Sequence, residues 1–328
     1  MDILLSRLEA TIKKYRMFSP GERVLVACSG GADSIALLYL LKEIAPRRKL
    51  RLSLIHFDHA LRKESKQDLQ FVRHLAKKFR LPFYAGKTGK ALRNKSFSPE
   101  EKARERRYEF FSKIAKRTKI RKIVLAHHRD DQAETVLMRL LQGTGPRGLQ
   151  GIRPVVKNRG VTFVRPLMEV TRAELRQFLK SRRLSYREDK TNRSLRFLRN
   201  RIRHRLLPFL EKEFNPKIRD LLPRLAESVN SELEGLDEWV QKKWRAFLSA
   251  KTNGVVHFDR GLFLLLPEAL QFRLLDRVLH AMDFQSGLNS ESWDKFKAGL
   301  EKGRFRFTLP RKIDLLFTPK ALSLKKLK

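Results

Sequence analysis

The chain has 328 residues, of which 41% are hydrophobic, so it can bury a sizeable core and is predicted to divide into more than one domain. Its 73 lysine and arginine residues face only 35 acidic residues, which gives a formal net charge of +38. A one-signed excess of this size favours a nucleic acid over an anionic membrane as partner. The single cysteine, Cys28, excludes an intramolecular disulfide and multi-cysteine zinc or iron–sulfur sites.

Membrane and export signals do not stand out in the sequence. No run approaches the about 18 apolar residues of a membrane-spanning helix. The first residues lack a basic segment followed by an apolar one, which a signal peptide would need. We therefore expect a cytoplasmic protein with no membrane partner.

The first part of the chain alternates between helices and strands. In chain order, the pattern predicts a helix over residues 1–20, a strand from residue 24, a helix from about residue 33, a strand over 50–57, a helix over 65–79, a strand over 82–85, a helix over 99–117 and a strand over 122–126. Strands that alternate with helices predict a parallel sheet with both faces covered. Ligands of such sheets bind at the C-terminal ends of the strands.

The pattern changes after residue 216. Residues 217–250 and 267–283 predict amphipathic helices, the first with Leu221, Leu225 and Leu233 on its apolar face. The last residues alternate like a small hairpin. We predict an α/β domain with a parallel sheet over residues 1–212, a smaller, mainly helical domain over 213–303, and a short hairpin or tail over 304–328.

A glycine-rich loop follows the first predicted strand and precedes a helix. It reads Ser29-Gly30-Gly31-Ala32-Asp33-Ser34. Adjacent glycines let the backbone approach a ligand and turn its N–H groups inward, and a helix N-terminus attracts anions. The unit therefore predicts a phosphate site.

Two other glycine patterns do not predict a nucleotide site. Gly86-Lys87-Thr88 has the end of a Walker A loop, but residue 81 is leucine where that loop needs glycine. The run from Gly143 to Gly148 follows a helix rather than a strand, which favours a helix C-cap and turn over a dinucleotide loop. The loop at Ser29 has no lysine, so we expect it to hold pyrophosphate with amides, hydroxyls and Mg²⁺ shared with carboxylates.

This loop resembles the Ser-Gly-Gly-x-Asp-Ser signature of the PP-loop ATP pyrophosphatases. Further motifs follow it in order: His56-Phe-Asp58-His59, Arg104-Glu-Arg-Arg107-Tyr108, His127-His128-Arg-Asp130-Asp131-Gln-Ala-Glu134, Arg165-Pro166-Leu167 and Arg199-Asn-Arg201-Ile-Arg203. Together they resemble the tRNA(Ile)-lysidine synthetases over about residues 20–212. The region after residue 217 is similar only in general character to the tRNA-binding second domain of that family.

The resemblance implies an enzyme that uses ATP and Mg²⁺. It would adenylate the 2-oxo group of the wobble cytidine of tRNA(Ile), release pyrophosphate, and then attach free L-lysine with release of AMP. The family also makes a homodimer plausible.

The resemblance also implies roles for individual residues. Asp33, Asp131, Arg104 and His59 are the expected catalytic residues, and Asp33 and Asp131 the expected Mg²⁺ ligands. The nucleotide is expected at Ser29, Gly30, Gly31, Ala32, Asp33, Ser34, His56 and Asp58. The lysine is expected at Asp131 and Glu134, and the tRNA at Arg107, Arg199, Arg201 and Arg203.

Some alternatives stay open on the sequence alone. The attacking amine must be neutral, and either His59 or His128 is a candidate base. The His/Asp clusters could also form a zinc site, although no helical His-x-x-x-His motif supports one. Three other functions compete. They are a PP-loop tRNA thiolase, which would normally need paired cysteines or an iron–sulfur cluster, a small-molecule amidotransferase-like ligase of the same fold, which the charge of +38 disfavours, and a non-catalytic RNA-binding protein with a vestigial loop.

Overall fold

The structure is a computed structural model, and it divides the chain into two compact units. It describes residues 3–58, 65–87, 99–158, 160–187, 194–252, 255–281, 290–301, 305–309, 313–317 and 321–326. The first unit consists of Met1–Thr144 and Gly148–Ala226, and the second of Gly145–Arg147 and Glu227–Lys328. The first unit therefore extends past residue 212, where we placed the end of the α/β domain.

A six-stranded sheet forms the centre of the first unit. Its strands are β1 (Arg23–Ala27), β2 (Arg51–Asp58), β3 (Phe83–Lys87), β4 (Lys122–Val124), β5 (Val155–Asn158) and β6 (Val161–Val164). The order is β3-β2-β1-β4-β6-β5, and every neighbouring pair is parallel except β5 and β6. The predicted parallel sheet is confirmed, whereas β5 and β6 were not predicted.

Helices lie before, between and after these strands along the chain. They are α1 (Ile3–Lys14), α2 (Ala32–Arg48), α3 (Ser65–Lys78), α4 (Pro99–Thr118), α5 (Arg129–Leu141), α6 (Pro146–Leu149), α7 (Arg172–Ser181), α8 (Leu198–Arg201), a π-helical turn (Ile202–Leu206) and α9 (Leu207–Glu213). Helix α1 is shorter than predicted, because the chain turns at Arg16 with a φ of +46°. The predicted turn after α5 is confirmed by Gly143, whose φ of +69° suits a residue without a side chain.

Both faces of the sheet are covered. Val24 and Val26 point into one hydrophobic core, whereas Leu25 between them points into the other, together with Phe111 and Ile114 of α4. Side chains alternate across a strand, so a strand covered on both sides is apolar throughout. This explains why β1 could be recognised from the sequence.

The strand order changes direction at β1. The chain runs from β1 to β2 and β3 on one side and then places β4 on the other side of β1. The loops that leave the ends of β1 and β4 therefore diverge to opposite faces, and ligands of α/β sheets bind at such a switch point. The glycine-rich loop and the His127–Glu134 motif follow these two strands.

The second unit combines helices with an antiparallel sheet. Its elements are most of α10 (Ile218–Phe247), β7 (Leu248–Thr252), β8 (Val255–Asp259), α11 (Arg260–Leu264), α12 (Glu268–Ala281), α13 (Ser290–Glu301), β9 (Phe305–Leu309), β10 (Ile313–Phe317) and β11 (Ala321–Lys326). The sheet order is β7-β8-β11-β10-β9. Helices α10 and α12 were predicted, whereas α11, α13 and all of the sheet but a terminal hairpin were not. Phe258, Phe263 and Phe296 fill the core of this unit.

The predicted apolar face of α10 is wrong at two positions. Leu221 and Leu225 are 40% and 44% exposed. Leu233 is buried as predicted, together with Leu222, Ala226 and Val240, which were not predicted. Both sets have helical spacing, so periodicity alone did not identify the buried one. Of the helices in the described ranges, none has the length and apolar character needed to cross a bilayer.

Candidate active site

The glycine-rich loop is held in shape by its own serine side chains. Ser34 Oγ accepts a hydrogen bond from Ser29 N at 3.2 Å and donates one to Gly31 O at 2.8 Å. Ser29 Oγ lies 3.2 Å from Ser34 Oγ and accepts from Gly31 N at 3.3 Å. Gly30 has a φ of +91°, which favours glycine. The hydroxyls that we expected to face a phosphate therefore also brace the loop.

The N-terminus of α2 carries no side-chain cap. Gly31 is the N-cap residue in an extended conformation, and within the described residues no side-chain hydrogen bond caps the helix. The first turn of a helix leaves such donors free for an anion, and the helix dipole favours negative charge there. This geometry suits the phosphate site that the sequence predicted.

His56, near the end of β2, bonds to the residue that precedes the loop. Its side chain is buried, and Nδ1 lies 2.8 Å from the carbonyl oxygen of Cys28. A carbonyl only accepts, so Nδ1 carries the proton and donates it. Asp58 is buried at the end of the same strand. His59, an expected catalytic residue, lies outside the described residues.

Cys28, directly before the loop, is buried and faces Ser34. Burial raises the pKa of its thiol to about 11, which the hydrogen bonds of Gly30 and Ser34 only partly oppose. A thiol with this pKa is almost entirely protonated near neutral pH and is a poor nucleophile.

His128 begins α5 and forms a capping box with Asp131. His128 N donates to Asp131 Oδ2 at 3.1 Å, and Asp131 N donates to His128 Nδ1 at 3.4 Å. The capping box fixes both side chains at the first turn of the helix. The other ring nitrogen, Nε2, lies 3.5 Å from Asp131 Oδ2 and 3.5 Å from Asp33 Oδ2.

His128 therefore joins the two motifs that follow β1 and β4. Burial would raise the pKa of the Asp33 carboxyl, but the hydrogen bond and charge of His128, with the charges of Arg172 and Arg203, hold that pKa below its ordinary value. Burial opposes the charged form of His128, yet Asp131, Asp33 and Asp130 together raise its pKa. Asp33 is thus a carboxylate at neutral pH.

Asp33 also has an oxygen that suits a cation. Its Oδ1 is buried and has no hydrogen-bond partner among the described residues. A buried carboxylate oxygen in this position fits a Mg²⁺ ion, which typically takes one or two carboxylates with waters and phosphate oxygens. Asp131 is more occupied, because both of its oxygens accept hydrogen bonds. In the described ranges no group of three or more His, Cys, Asp or Glu side chains is arranged to hold a metal by itself.

Arg199 and Arg203, expected at the tRNA, lie on the two carboxylates expected at the lysine. Arg199 donates from Nη2 to Asp131 Oδ1 and from Nε to Glu134 Oε2, both at 2.9 Å. Arg203 donates from Nε and Nη2 to Glu134 and from Nη2 to Asp131. Glu134 is 1% exposed, so these bonds satisfy a buried charge. The two arginines lie on α8 and the π-helical turn, one helical turn apart.

The remaining basic candidates are Arg201 of α8 and two arginines of α4. Arg201 points to solvent, on the same segment as Arg199 and Arg203. Arg104 and Arg107 of α4 both stack over the ring of Tyr108, at 5.2 and 5.8 Å from its centroid. These cations remain close to the surface, where a phosphate can reach them.

One buried arginine in the site received no role from the sequence. Arg165 is 4% exposed, donates from Nε to His127 Nδ1 at 3.1 Å, and donates from Nη1 to Arg153 O at 2.7 Å. The Arg165-Pro166-Leu167 motif was a signal for it. Its partner lies 38 residues away in sequence, however, so the pairing was not readable.

Comparison with known proteins gives the family of this chain. A family model described as the PP-loop domain matches residues 4–210. The chain is 36% identical over 326 residues to the tRNA(Ile)-lysidine synthase of Symbiobacterium thermophilum, covering 95% of this chain and 67% of that protein. It is 40% identical over 284 residues to the same-named protein of Geobacter sulfurreducens, covering 85% of this chain and 59% of that protein. It is 34% identical over 290 residues to the tRNA(Ile)-lysidine synthase of a Nostoc species, covering 84% of this chain and 83% of that protein.

The lengths of these relatives differ from that of this chain. Against several of them the chain spans only 47% to 59% of their length. Among solved structures, the U34-tRNA thiolase NcsA from Methanococcus maripaludis, determined with its 4Fe-4S cluster, has a similar fold. The TM-score is 0.59 at 17% identity, with 69% of this chain and 78% of that chain covered. The family model matches more than half of the chain, and the chain covers two thirds or more of the Symbiobacterium and Nostoc relatives. The chain therefore belongs to the PP-loop family of the tRNA(Ile)-lysidine synthases.

Proposed function

We propose that this protein ligates L-lysine to the wobble cytidine of tRNA(Ile) in an ATP-dependent reaction. The observation that carries the proposal is the meeting of Asp33, His128 and Asp131 at the switch point of the sheet. In this arrangement the glycine-rich loop, to which we assign the phosphate, lies beside a cluster of carboxylates. The names of the relatives support the same activity.

The first step is adenylation of the base. The 2-oxo oxygen of the cytidine attacks the α-phosphorus of ATP, and the bond to the pyrophosphate breaks. The uncapped N-terminus of α2 holds the leaving pyrophosphate, whereas the amides of Gly30 and Gly31, which we expected there, already bond to Cys28 and Ser29. Mg²⁺, bound through Asp33, would neutralise part of the phosphate charge, and a reaction of this kind depends mainly on positioning and charge.

In the second step an amine of lysine attacks C2 of the adenylated cytidine, and AMP leaves with the oxygen. A cationic lysine needs carboxylates near its ammonium groups, and Asp131 and Glu134 are the ones that we assign to it. Arg199 and Arg203 occupy these carboxylates in the present structure. Lysine therefore has to share the carboxylates with the arginines or displace them. His59 and His128 stay the candidates for the base that removes the proton of the amine, and His128 would first have to release its Nδ1 atom from the N–H of Asp131.

Basic residues around the site provide contacts for tRNA. The net charge of +38 supports an RNA partner, and Arg104, Arg107 and Arg201 remain close to the surface. A cytoplasmic location and a homodimer stay predictions of the same account.

Incorporation of labelled lysine tests the proposal. Radiolabelled lysine, ATP, Mg²⁺ and total bacterial tRNA are incubated with the protein, and acid-insoluble label is counted. We expect label that depends on ATP, that is absent with radiolabelled arginine, and that is lost with a tRNA(Ile) transcript whose wobble cytidine is replaced by uridine. Unlabelled tRNA, under conditions in which the protein releases pyrophosphate from ATP, would refute the assignment.

A thiolase receives less support from the same residues. The likeness to the thiolase NcsA concerns the fold alone. The only cysteine, Cys28, has a pKa of about 11 because it is buried, so it is poorly suited to carry sulfur. A purely RNA-binding role leaves the intact loop at Ser29–Ser34 without a purpose.

A further inference from the structure

His127 lies among arginines next to the candidate active site. Arg165 donates its Nε–H to His127 Nδ1 at 3.1 Å. Arg104, Arg107 and Arg199 are its other charged neighbours. It comes three residues after β4, which ends at Val124, and directly precedes His128, so it lies at the same edge of the sheet as the glycine-rich loop.

The partner of Nδ1 determines where the imidazole carries its proton. A guanidinium has only donors, so the Nδ1 atom that it contacts must be an acceptor with a lone pair. The single proton of the neutral ring then sits on Nε2. Arg165 is itself held by the carbonyl of Arg153 and by a hydrogen bond to Tyr108, so it cannot turn away freely.

The charges around His127 keep the ring in this neutral form. Burial lowers its pKa most, and the charges of Arg165, Arg104, Arg199 and Arg107 lower it further, to well below the ordinary value. His127 therefore contrasts with His128, whose three aspartate neighbours raise its pKa. Adjacent histidines thus meet opposite electrostatic environments.

We propose that Arg165 is a positioning residue that fixes His127 as a neutral Nε2–H donor. This donor binds a phosphate oxygen that the charges of Arg104, Arg107 and Arg199 attract. The role rests on the proposed function for the source of the phosphate, which is either ATP or the tRNA backbone. A ring with its lone pair engaged and its other nitrogen protonated cannot accept a proton from the lysine amine. The geometry therefore assigns His127 to binding and not to base catalysis.

The tautomer is tested on the full chain without any ligand. Histidine ring nitrogens are labelled with ¹⁵N, and long-range ¹H–¹⁵N spectra distinguish the Nε2–H from the Nδ1–H form. The signal of His127 is identified by its loss in His127→Gln. We expect a neutral Nε2–H ring that does not change between about pH 5.5 and 8. An Nδ1–H ring, or a ring that gains a proton in this range, overturns the proposal whether or not the protein makes lysidine.

Two arginine variants separate positioning from folding. Arg165→Met removes the donor to His127, and Arg139→Met removes another partly buried arginine, which bonds the carbonyls of Gly148 and Gly151 instead. We expect the His127 signal to become a mixture of tautomers in Arg165→Met and to stay unchanged in Arg139→Met. Identical spectra in all three proteins would contradict the positioning role. If Arg165→Met does not fold, the spectrum of the unmodified chain still decides the tautomer.

Binding measurements test the phosphate contact. His127→Gln keeps an amide donor near the position of Nε2, whereas His127→Asn does not reach it. We expect affinity for the phosphate-bearing ligand to fall about 10- to 100-fold in His127→Asn, the usual cost of a hydrogen bond to a charged group, and less in His127→Gln. A loss confined to ATP identifies the nucleotide as the source, and a loss confined to tRNA identifies the RNA backbone. Unchanged affinity for both refutes the contact.

Discussion

Glu134→Gln measures how much the carboxylate–arginine cluster contributes to stability. Glu134 is almost fully buried and accepts hydrogen bonds from Arg199 and Arg203. Glutamine has nearly the same shape, but it carries no charge, and its NH₂ group meets donors where the carboxylate offered an acceptor. Both guanidiniums then share the single charge of Asp131.

The structure sets the size of the effect. Removing one partner of a buried ion pair costs about 3–5 kcal/mol. Arg199 and Arg203 keep 24% and 14% of their side chains exposed, so water can stabilise them in part, and we expect the lower end, about 3 kcal/mol. For a domain of roughly 150–250 residues this corresponds to a Tm lower by about 6–12 °C.

Glu211→Gln is the matched control. Glu211 also accepts a hydrogen bond from an arginine Nε, that of Arg219 at 2.7 Å, but its side chain is 29% exposed. A pair with this exposure contributes about 0–1 kcal/mol. Urea unfolding followed by circular dichroism gives both free energies. If the two variants lose the same stability, the buried cluster does not have the energetic role that its geometry indicates.

Three further results follow from the charged and buried groups. Asp33→Asn should abolish adenylation while leaving tRNA affinity nearly unchanged, and an equal loss in both assays would argue against its role at the phosphate. Burial opposes ionisation of Glu174, but hydrogen bonds from Thr171 and the charge of Arg7 hold its pKa below the ordinary 4.5. The stability that ionised Glu174 contributes is thus complete above that value and is lost as the pH falls below it. The free energy of unfolding in urea should therefore depend less on pH between about pH 3 and 5 in Glu174→Gln, and an unchanged pH dependence would contradict this. Iodoacetamide at about pH 8 should label Cys28 only in unfolded protein, since burial raises its pKa to about 11, and rapid labelling of native protein would show that the thiol is accessible.

The sequence predicted β1, the turn after it and α2 because each of them has a recognisable local pattern. Leu25 between Val24 and Val26 fills both sides of β1, and Gly30 and Gly31 mark the turn into α2. Strands β5 and β6 were missed because β5 leads directly into β6 as an antiparallel pair, outside the alternation of strands and helices on which the prediction rested. The prediction for α10 was wrong at Leu221 and Leu225 because a second row of apolar residues, which is the buried one, runs beside them.

The sequence indicated several residues that the structure brings together at the candidate site, but not how they pair. Asp33, Asp131 and Glu134 lie in readable motifs, and the order of the strands brings the first two together through His128. Nothing local indicated that Arg199 pairs with Glu134, which lies 65 residues earlier. Such contacts depend on how α5 and α8 pack, and sequence periodicity carries no information about that packing.

The most direct test of the central claim follows the adenylyl group of ATP. The protein is incubated with tRNA(Ile) and ATP labelled at the α-phosphate, without lysine, and the tRNA is then isolated. The two-step ligation predicts label on the tRNA that leaves as AMP when lysine is added and stays when arginine is added instead. Label that never reaches the tRNA, or that lysine does not release, would contradict the account.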